Sequence, residues 1–471
     1  SQHSINMNIS QESTGELTAT LKIEVSESDY IESVNKKLKE YQRKANMPGF
    51  RPGKVPFGLV KKMYWAATVL DEVNHLVARE ITTYISDNKL EIIGYPIPDN
   101  EKVKDIDFGS QQDFELYYEM GFRPDFELRF SDEIKPDYYK IVGTEKEIED
   151  EITMIARNYS EVINPEKSEA GDWIDGKYEQ LGEDGEPLAD GLNAESYVNV
   201  NSVQSEEKKA VFIGLKEGDQ VSFNIREVFD DSKEIERIFK LKTEEASAVD
   251  GMFRFTVSKI SRMIPAEINE ELFKRLFPNE KNIDEVRFRE LIAENITFRY
   301  EPESDSKLFD DVKEKLMELH EFRLPEEFLK KLLLDRNEDS LTREEIDTEF
   351  PELIKSIKWD MIREKIYDKF DIKVDQEEIK NVVRGYFKNQ FGGHIDEHKE
   401  WVESTIDRIL SDEKESEKIE AQLYYGKLIS VMKNNLGLQI KEVTHDEFHV
   451  LTGSPSAHEH EHEEQTHETD V

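Results

Sequence analysis

Two hydrophobic periods occupy different stretches of this 471-residue chain, and one core cannot satisfy both. From residue 265 to 443 apolar side chains recur at helical spacing almost without a break. Residues 166–264 are instead short alternating runs punctuated by Gly182, Gly185, Gly191, Gly214, Gly218 and Gly251. Among them Gln220-Val221-Ser222-Phe223-Asn224-Ile225 and Met252-Phe253-Arg254-Phe255-Thr256-Val257 read as strands of a small hairpin-built domain. A single core stops growing at roughly 250–300 residues, so about two to four domains are expected.

The first part of the chain mixes both periods. Leu17, Ala19, Leu21, Ile23 and Val25 alternate as in a half-buried strand. Ser26 and Asp29 form a capping-box-like start, and Ile31, Val34, Leu38 and Tyr41 follow at helical spacing. The pattern breaks at Met47-Pro48-Gly49, and Pro56 suits the first turn of a second helix. That helix carries Leu59, Val60, Met63, Leu70, Val73, Leu76, Val77 and Ile81 on its apolar side, and alternation returns at Phe114, Leu116, Tyr118, Met120 and Phe122. Residues 7–122 therefore read as one α+β domain and 123–165 as a connector, helical over 145–161. Farther on, Thr342 with Glu345 and Asp375 with Glu378 are capping boxes, and Pro325 with Glu326 and Glu327 opens another helix. Residues 265–448 read as a helical domain. Residues 449–471 read as a disordered His/Glu-rich tail.

Charge narrows the partners. With 63 basic against 104 acidic residues the chain carries a net charge of −41, which repels phosphate backbones and anionic lipids except where a basic island intervenes. There is no cysteine, hence no disulfide framework and no thiolate metal site. No apolar run approaches the ~18 residues of a membrane span, and residues 1–6 lack a signal-peptide pattern, so a cytoplasmic protein without membrane contact is expected.

One basic island exists. Lys36, Lys37, Lys39, Arg43, Lys44, Arg51, Lys54, Lys61 and Lys62 stand against Glu40 alone. At its centre, between two helices, lies Gly49-Phe50-Arg51-Pro52-Gly53-Lys54-Val55-Pro56. Pro48, Pro52, Pro56 and two glycines fix a tight exposed turn with an aromatic and two cations at its tip. Such a tip suits an acidic protein groove or RNA phosphates, with the aromatic as apolar anchor; the plainer reading is a solvated basic helix pair. It is not a P-loop. Three residues rather than four separate the glycines, and Val55 follows Lys54 where a Ser or Thr would hold Mg²⁺.

The pattern Gly49-Phe50-Arg51-x-Gly53-Lys54-x-Pro56 resembles the ribosome-docking signature of bacterial trigger factor. The order of α+β domain, connector, small β-rich domain and helical region resembles that family across most of the chain. The resemblance implies an elongated multidomain α+β fold: a ribosome-binding domain, an FK506-binding-protein-like domain, and a mostly helical chaperone domain. It implies that Gly49, Phe50, Arg51, Gly53, Lys54 and Pro56, rimmed by Arg43, Lys44, Lys61 and Lys62, meet a large-subunit protein at the tunnel exit, with rRNA phosphates as a further contact. Unfolded nascent polypeptides are the implied clients, no cofactor is implied, and a homodimer of the free protein is left open. Pro52 stands where the family often has a basic residue, which leaves the tip one charge short.

The β-rich domain falls where the family carries a prolyl isomerase, whose pocket must desolvate an X-Pro amide between apolar rings. Tyr178 stands for the strand aromatic of that pattern, and Gly214-Leu215-Lys216-Glu217-Gly218-Asp219 resembles the turn after the pocket. Other parts depart from it. Leu188 follows Asp184-Gly185 where Phe is usual, Glu206, Glu207, Lys208 and Lys209 replace the Ile-Pro-Gly-Phe turn, and Phe229-Asp230-Asp231 replaces the Phe-Pro segment. The fold is expected to persist with a degraded pocket, and Trp173, Phe223, Phe253 and Phe255 to be core. An active isomerase and a ribosome-independent holdase are the alternatives.

In the helical region Phe322, Leu324, Phe328 and Leu332, and Tyr386, Phe387 and Phe391, exceed what one buried stripe explains and are candidate client contacts. Leu329, Leu333, Leu334, Trp401, Tyr424, Tyr425 and Met432 belong to the same clusters, with core packing as the plainer reading of each. His458, His460, His462 and His467 in the tail suit only adventitious chelation, so no structural metal site is expected. No carboxylate pair stands out as catalytic.

Overall fold

The strand expected before Ser26 is present and gains a partner that its polar sequence concealed. A computed structural model describes residues 7–337 and 340–453. Strand β1 (Asn8–Ser13) pairs antiparallel with β2 (Thr18–Val25). The Ser26 N–H donates to Asp29 Oδ2 at 2.8 Å, closing the start of α1 (Glu27–Lys44), and Pro56 precedes α2 (Phe57–Asp87). Strands β3 (Ile92–Pro98), β4 (Phe114–Phe122) and β5 (Asp137–Ile141) follow, then α3 (Glu145–Asn158). The helix expected to reach 161 stops earlier, because Glu161–Ile163 forms β6. Strands β7 (Trp173–Gln180), β8 (Asn193–Asn199), β9 (Gln220–Asn224) and β10 (Met252–Ile264) complete the β-rich stretch.

The helical region contains α4 (Glu285–Leu319), α5 (Glu326–Arg336), α6 (Arg343–Lys369), α7 (Gln376–Phe391), α8 (Lys399–Leu410) and α9 (Glu413–Asn435). Strand β11 (Gln439–Val443), which pairs with β5, interrupts the expected helical pattern before α10 (His445–Thr452). Helix therefore extends into residues assigned to a disordered tail; residues 454–471 lie outside the described residues. The Thr342 capping box forms, Thr342 N–H to Glu345 Oε2 at 2.8 Å and Glu345 N–H to Thr342 Oγ1 at 3.2 Å. Only half of the second does. Asp375 Oδ1 accepts from the Glu378 N–H at 2.9 Å, but the Glu378 carboxylate is taken by Lys427 Nζ at 2.8 Å.

The chain divides into two compact units, one of residues 1–138 with 305–439, the other of 139–304 with 440–471. In the first, a four-stranded antiparallel sheet has the order β1-β2-β4-β3. Val34 and Leu38 of α1 and Val69, Val73 and Val77 of α2 bury against Leu21, Ile23 and Met120 of the sheet. Helix α5 packs Phe328, Leu329 and Leu332 in a second cluster with Ile97 of β3. Two glycines make that approach feasible: a Cβ on Gly121 would lie 2.3 Å from the Phe328 ring, and one on Gly94 2.5 Å from Leu332. A third cluster joins Leu308, Val312 and Leu316 to Trp359, Ile362, Ile366, Leu428 and Met432, and a fourth joins α7, α8 and α9 through Val383, Phe387, Val402, Ile406 and Ile419.

In the second unit the long strand β10 organises an antiparallel sheet. It pairs with β7, which pairs with β8, and its other edge takes β9 and then β6. Ile174, Tyr178, Val198, Phe212, Phe223, Ile235, Phe253 and Phe255 form its core. A smaller cluster joins Ile148 and Ile152 of α3 to Phe288, Leu291, Ile292 and Ile296 of α4.

Candidate functional site

The loop between α1 and α2 is two consecutive turns of one design. Met47-Pro48-Gly49-Phe50 closes with the Phe50 N–H donating to Met47 O at 3.1 Å, and Arg51-Pro52-Gly53-Lys54 with the Lys54 N–H donating to Arg51 O at 2.9 Å. Each has proline second and a glycine at positive φ third, +91° at Gly49 and +76° at Gly53, the residue order of a type II turn. Pro52 thus does a conformational job where a basic residue would add charge. The base is anchored by the Gly53 N–H to Ala45 O (3.1 Å), by Gln42 Nε2 to Val55 O (2.8 Å), and by Val55, which is fully buried.

This frame holds the candidate docking side chains outward. Phe50 is 41% exposed, and Arg51, Lys54 and Pro56 are exposed beside it. Arg43 and Lys44 end α1, Lys61 and Lys62 lie in the first turns of α2, and all four are exposed. Among the described residues none of these six cations has a carboxylate within ion-pairing distance; Lys61 Nζ instead sits 4.7 Å from the Trp65 ring centroid. Lys37 is different. It pairs with Glu72 at 2.9 Å, and that carboxylate holds its ammonium above the usual lysine range, so it is internally compensated. Tyr41, Met63 and Leu70, expected on buried helix faces, are exposed, with Tyr41 against the exposed Tyr64 at 5.5 Å between ring centroids. The neighbourhood of the tip is therefore more apolar than charge alone suggested.

In the β-rich unit the aromatic residues are packed against one another. Tyr178 is 0% exposed, its ring 4.7 Å from Phe255, 5.9 Å from Phe239 and 6.5 Å from Phe223. Burial pushes its phenol well above the ordinary tyrosine range, and its hydroxyl donates to Tyr197 O at 3.3 Å. Phe212 fills the space beside Phe223 and Phe255 and is also fully buried. Phe223, Phe253 and Phe255 are core as expected, whereas Trp173 is not: it is 40% exposed and stacked on Tyr197, which carries Arg237 on its ring. Glu206–Lys209 form a helical turn capped by Ser205, and Leu188 is exposed.

The apolar residues of the helical region separate into two groups. Leu324, Phe328, Leu332 and Phe387 are buried and present almost no surface to a client, which corrects their assignment as contacts; the first three fill the cluster beside β3, with Phe328 and Leu332 over Gly121 and Gly94. Phe322 is half-buried, stacked on Phe126 at 4.4 Å. Met432 is core. Tyr386 and Phe391 are exposed, and with Trp401, 55% exposed and 6.0 Å from the rings of both Phe387 and Phe391, they make an aromatic patch on α7 and α8. A separate cleft is lined by Phe309, Tyr367, Tyr424 and Tyr425 together with Arg363, Glu417 and Glu420.

One group of donors went unread in the sequence. His445 and His449, four residues apart on α10, converge on Glu303 of α4. The helical spacing of the histidines was legible; a partner 142 residues away was not.

Comparison with known proteins follows the same order of parts. The family description "Bacterial trigger factor protein" matches residues 7–155, "Probable trigger factor, FKBP-like domain" matches 162–265, and "Probable trigger factor, C-terminal domain" matches 304–452. Together these define a multidomain chaperone. The chain belongs to the trigger factor family. It is similar to the trigger factor of Bartonella tribocorum, 24% identical over 458 residues that cover 92% of this chain and 90% of that one. It is similar also to that of Salinibacter ruber, 23% identical over 441 residues, 88% and 90% of the two chains. A solved trigger factor chaperone aligns with a TM-score of 0.49 at 18% identity, covering 91% of this chain and 99% of that one. No helix among the described residues is long and apolar enough to cross a membrane.

Proposed function

We propose that the chain docks beside the ribosomal exit tunnel through the double-turn tip and shields emerging polypeptides without nucleotide. The observation that carries this reading is the exposure of Phe50, Arg51 and Lys54 on a loop braced by buried Val55, in a chain otherwise of strongly negative charge. The tip offers what a shallow acidic groove or phosphate surface binds: one apolar anchor and unpaired cations around it. A large-subunit protein is the main contact, rRNA phosphates a further one, and the cytoplasm the compartment. Residues 7–122 dock, 123–165 connect, 166–264 form the FK506-binding-protein-like domain and 265–448 hold clients.

Client contact falls to the surface aromatics, Tyr386, Phe391 and Trp401, with the tyrosine-lined cleft around Tyr367 and Tyr424 as a second element. Weak, multivalent apolar contacts hold an unfolded segment and release it quickly. The β-rich domain acts as a noncatalytic arm. Supporting this, Tyr178 and Phe212 have no accessible ring face on which an X-Pro bond would sit. A homodimer of the free protein has one supporting feature, the exposed Tyr41, Met63, Tyr64 and Leu70 near the tip.

The test is co-sedimentation with bacterial ribosomes, wild type beside Phe50→Ala/Arg51→Ala. Loss of salt-sensitive pelleting in the variant is expected. Equal pelleting of both proteins, or of neither, rejects the tip and favours a ribosome-independent holdase.

A further inference from the structure

We propose that Glu303, His445 and His449 form a binding site for a divalent transition cation of the zinc type, tying α10 to α4. The site is independent of the docking role. His445 Nε2 lies 3.0 and 3.1 Å from the two Glu303 carboxylate oxygens and 3.1 Å from His449 Nε2. Two imidazole nitrogens and a carboxylate at bond lengths of about 2.0–2.1 Å around a tetrahedral centre stand about 3.3 Å apart, close to both separations from His445, and all three ligand atoms lie within 4.8 Å of one another. Histidines at i and i+4 present both rings on one helix face, the spacing of helical two-histidine zinc sites.

Hydrogen bonding alone accounts poorly for this convergence. If His445 Nε2 carries a proton, Glu303 and His449 compete for the same hydrogen. If it does not, its lone pair faces the Glu303 carboxylate, acceptor against acceptor. A cation receives all three lone pairs at once. Nδ1 of His449 is buried without a partner in either case and does not discriminate.

The surroundings hold the ligands in place. Tyr300, one turn before Glu303, stacks on the His445 ring at 4.4 Å and 21°, and its hydroxyl donates to Glu147 Oε2 at 2.7 Å. Thr444 caps α10 by accepting from the Glu447 N–H at 3.2 Å, and buried Phe448 anchors the helix edge-on to Tyr139. The donor set selects the metal. Two imidazoles favour zinc, cobalt, nickel or copper over the all-oxygen preference of Mg²⁺ and Ca²⁺. Three protein ligands leave a fourth position to water.

The test uses the full chain with His458, His460, His462 and His467 replaced by Asn, which removes chelation by the tail. Co²⁺ is titrated and its visible absorption followed, with Zn²⁺ as competitor. We expect one equivalent to bind with the intense spectrum of a tetrahedral site, Zn²⁺ to displace it, and the thermal midpoint to rise by several degrees with Zn²⁺. His445→Asn/His449→Asn abolishes the spectrum and the shift. Glu303→Gln, which keeps size and helix, weakens binding at least tenfold and leaves the metal-free circular dichroism unchanged. Absence of stoichiometric uptake once the tail is substituted, or equal uptake by the double variant, overturns the site.

Discussion

Gly49 and Gly53 occupy a backbone region that side chains enter at a cost of about 1 kcal/mol, yet their substitutions differ in consequence. A Cβ on Gly49 meets open space, whereas one on Gly53 comes within 3.0 Å of Arg43 O at the end of α1. Gly53→Ala should therefore displace the tip from its helix and weaken ribosome pelleting more than Gly49→Ala, with global stability little changed. Tyr178 gives the contrasting residue-scale prediction. Tyr178→Phe removes one hydroxyl bond and costs on the order of 1 kcal/mol. Tyr178→Ala opens a cavity in the aromatic core and costs about 3–5 kcal/mol. Urea unfolding measures both. A short X-Pro peptide separates the noncatalytic reading from an enzyme: wild-type turnover near the uncatalysed rate is expected, and substantial turnover would reinstate the isomerase.

At the scale of elements, the packing of α5 on the sheet depends on glycines that make room for knobs. Gly121→Val must push the Phe328 ring aside and should destabilise the first unit by about 1–3 kcal/mol, seen as a lower urea midpoint with an unchanged slope. This contact also explains what the sequence could and could not tell. Periodicity located α1, α2, β2, β4 and β10, because one face of each is buried and its period is fixed by backbone geometry. The tip was legible because prolines and glycines act locally. Periodicity also marked Phe328 and Leu332 as apolar beyond one stripe, but what covers them is Gly121 and Gly94, distant in sequence and without side chains to announce a contact. Trp173 failed for a related reason: its strand alternates correctly, but an aromatic can stack on an outward neighbour, here Tyr197, instead of entering the core. β1, nearly all polar, carried no signal beyond its pairing with β2.

For the whole molecule, a net charge of −41 makes any ribosome contact a contest between one basic island and a repulsive remainder. Replacing Arg43, Lys44, Lys61 and Lys62 together by Gln should weaken pelleting most at low salt and flatten its salt dependence. Phe50→Ala should weaken it at every salt concentration, since apolar anchorage is not screened. Parallel curves for the two variants would mean that the rim cations contribute no electrostatic attraction.

The order of the chain through its two units also bears on how the protein is itself made. The first unit begins with residues 1–138 but needs 305–439 to finish, and the second unit interposes 139–304. At roughly 5–20 residues per second, the helix that covers β3 and β4 leaves the ribosome on the order of ten to fifty seconds after those strands. For that interval the sheet face around Gly94 and Gly121, destined for Leu332 and Phe328, is bare. A newly synthesised copy thus presents, during its own birth, the kind of uncovered apolar surface that a ribosome-associated chaperone shields, and under the proposed docking an earlier copy at the same exit is placed to cover it.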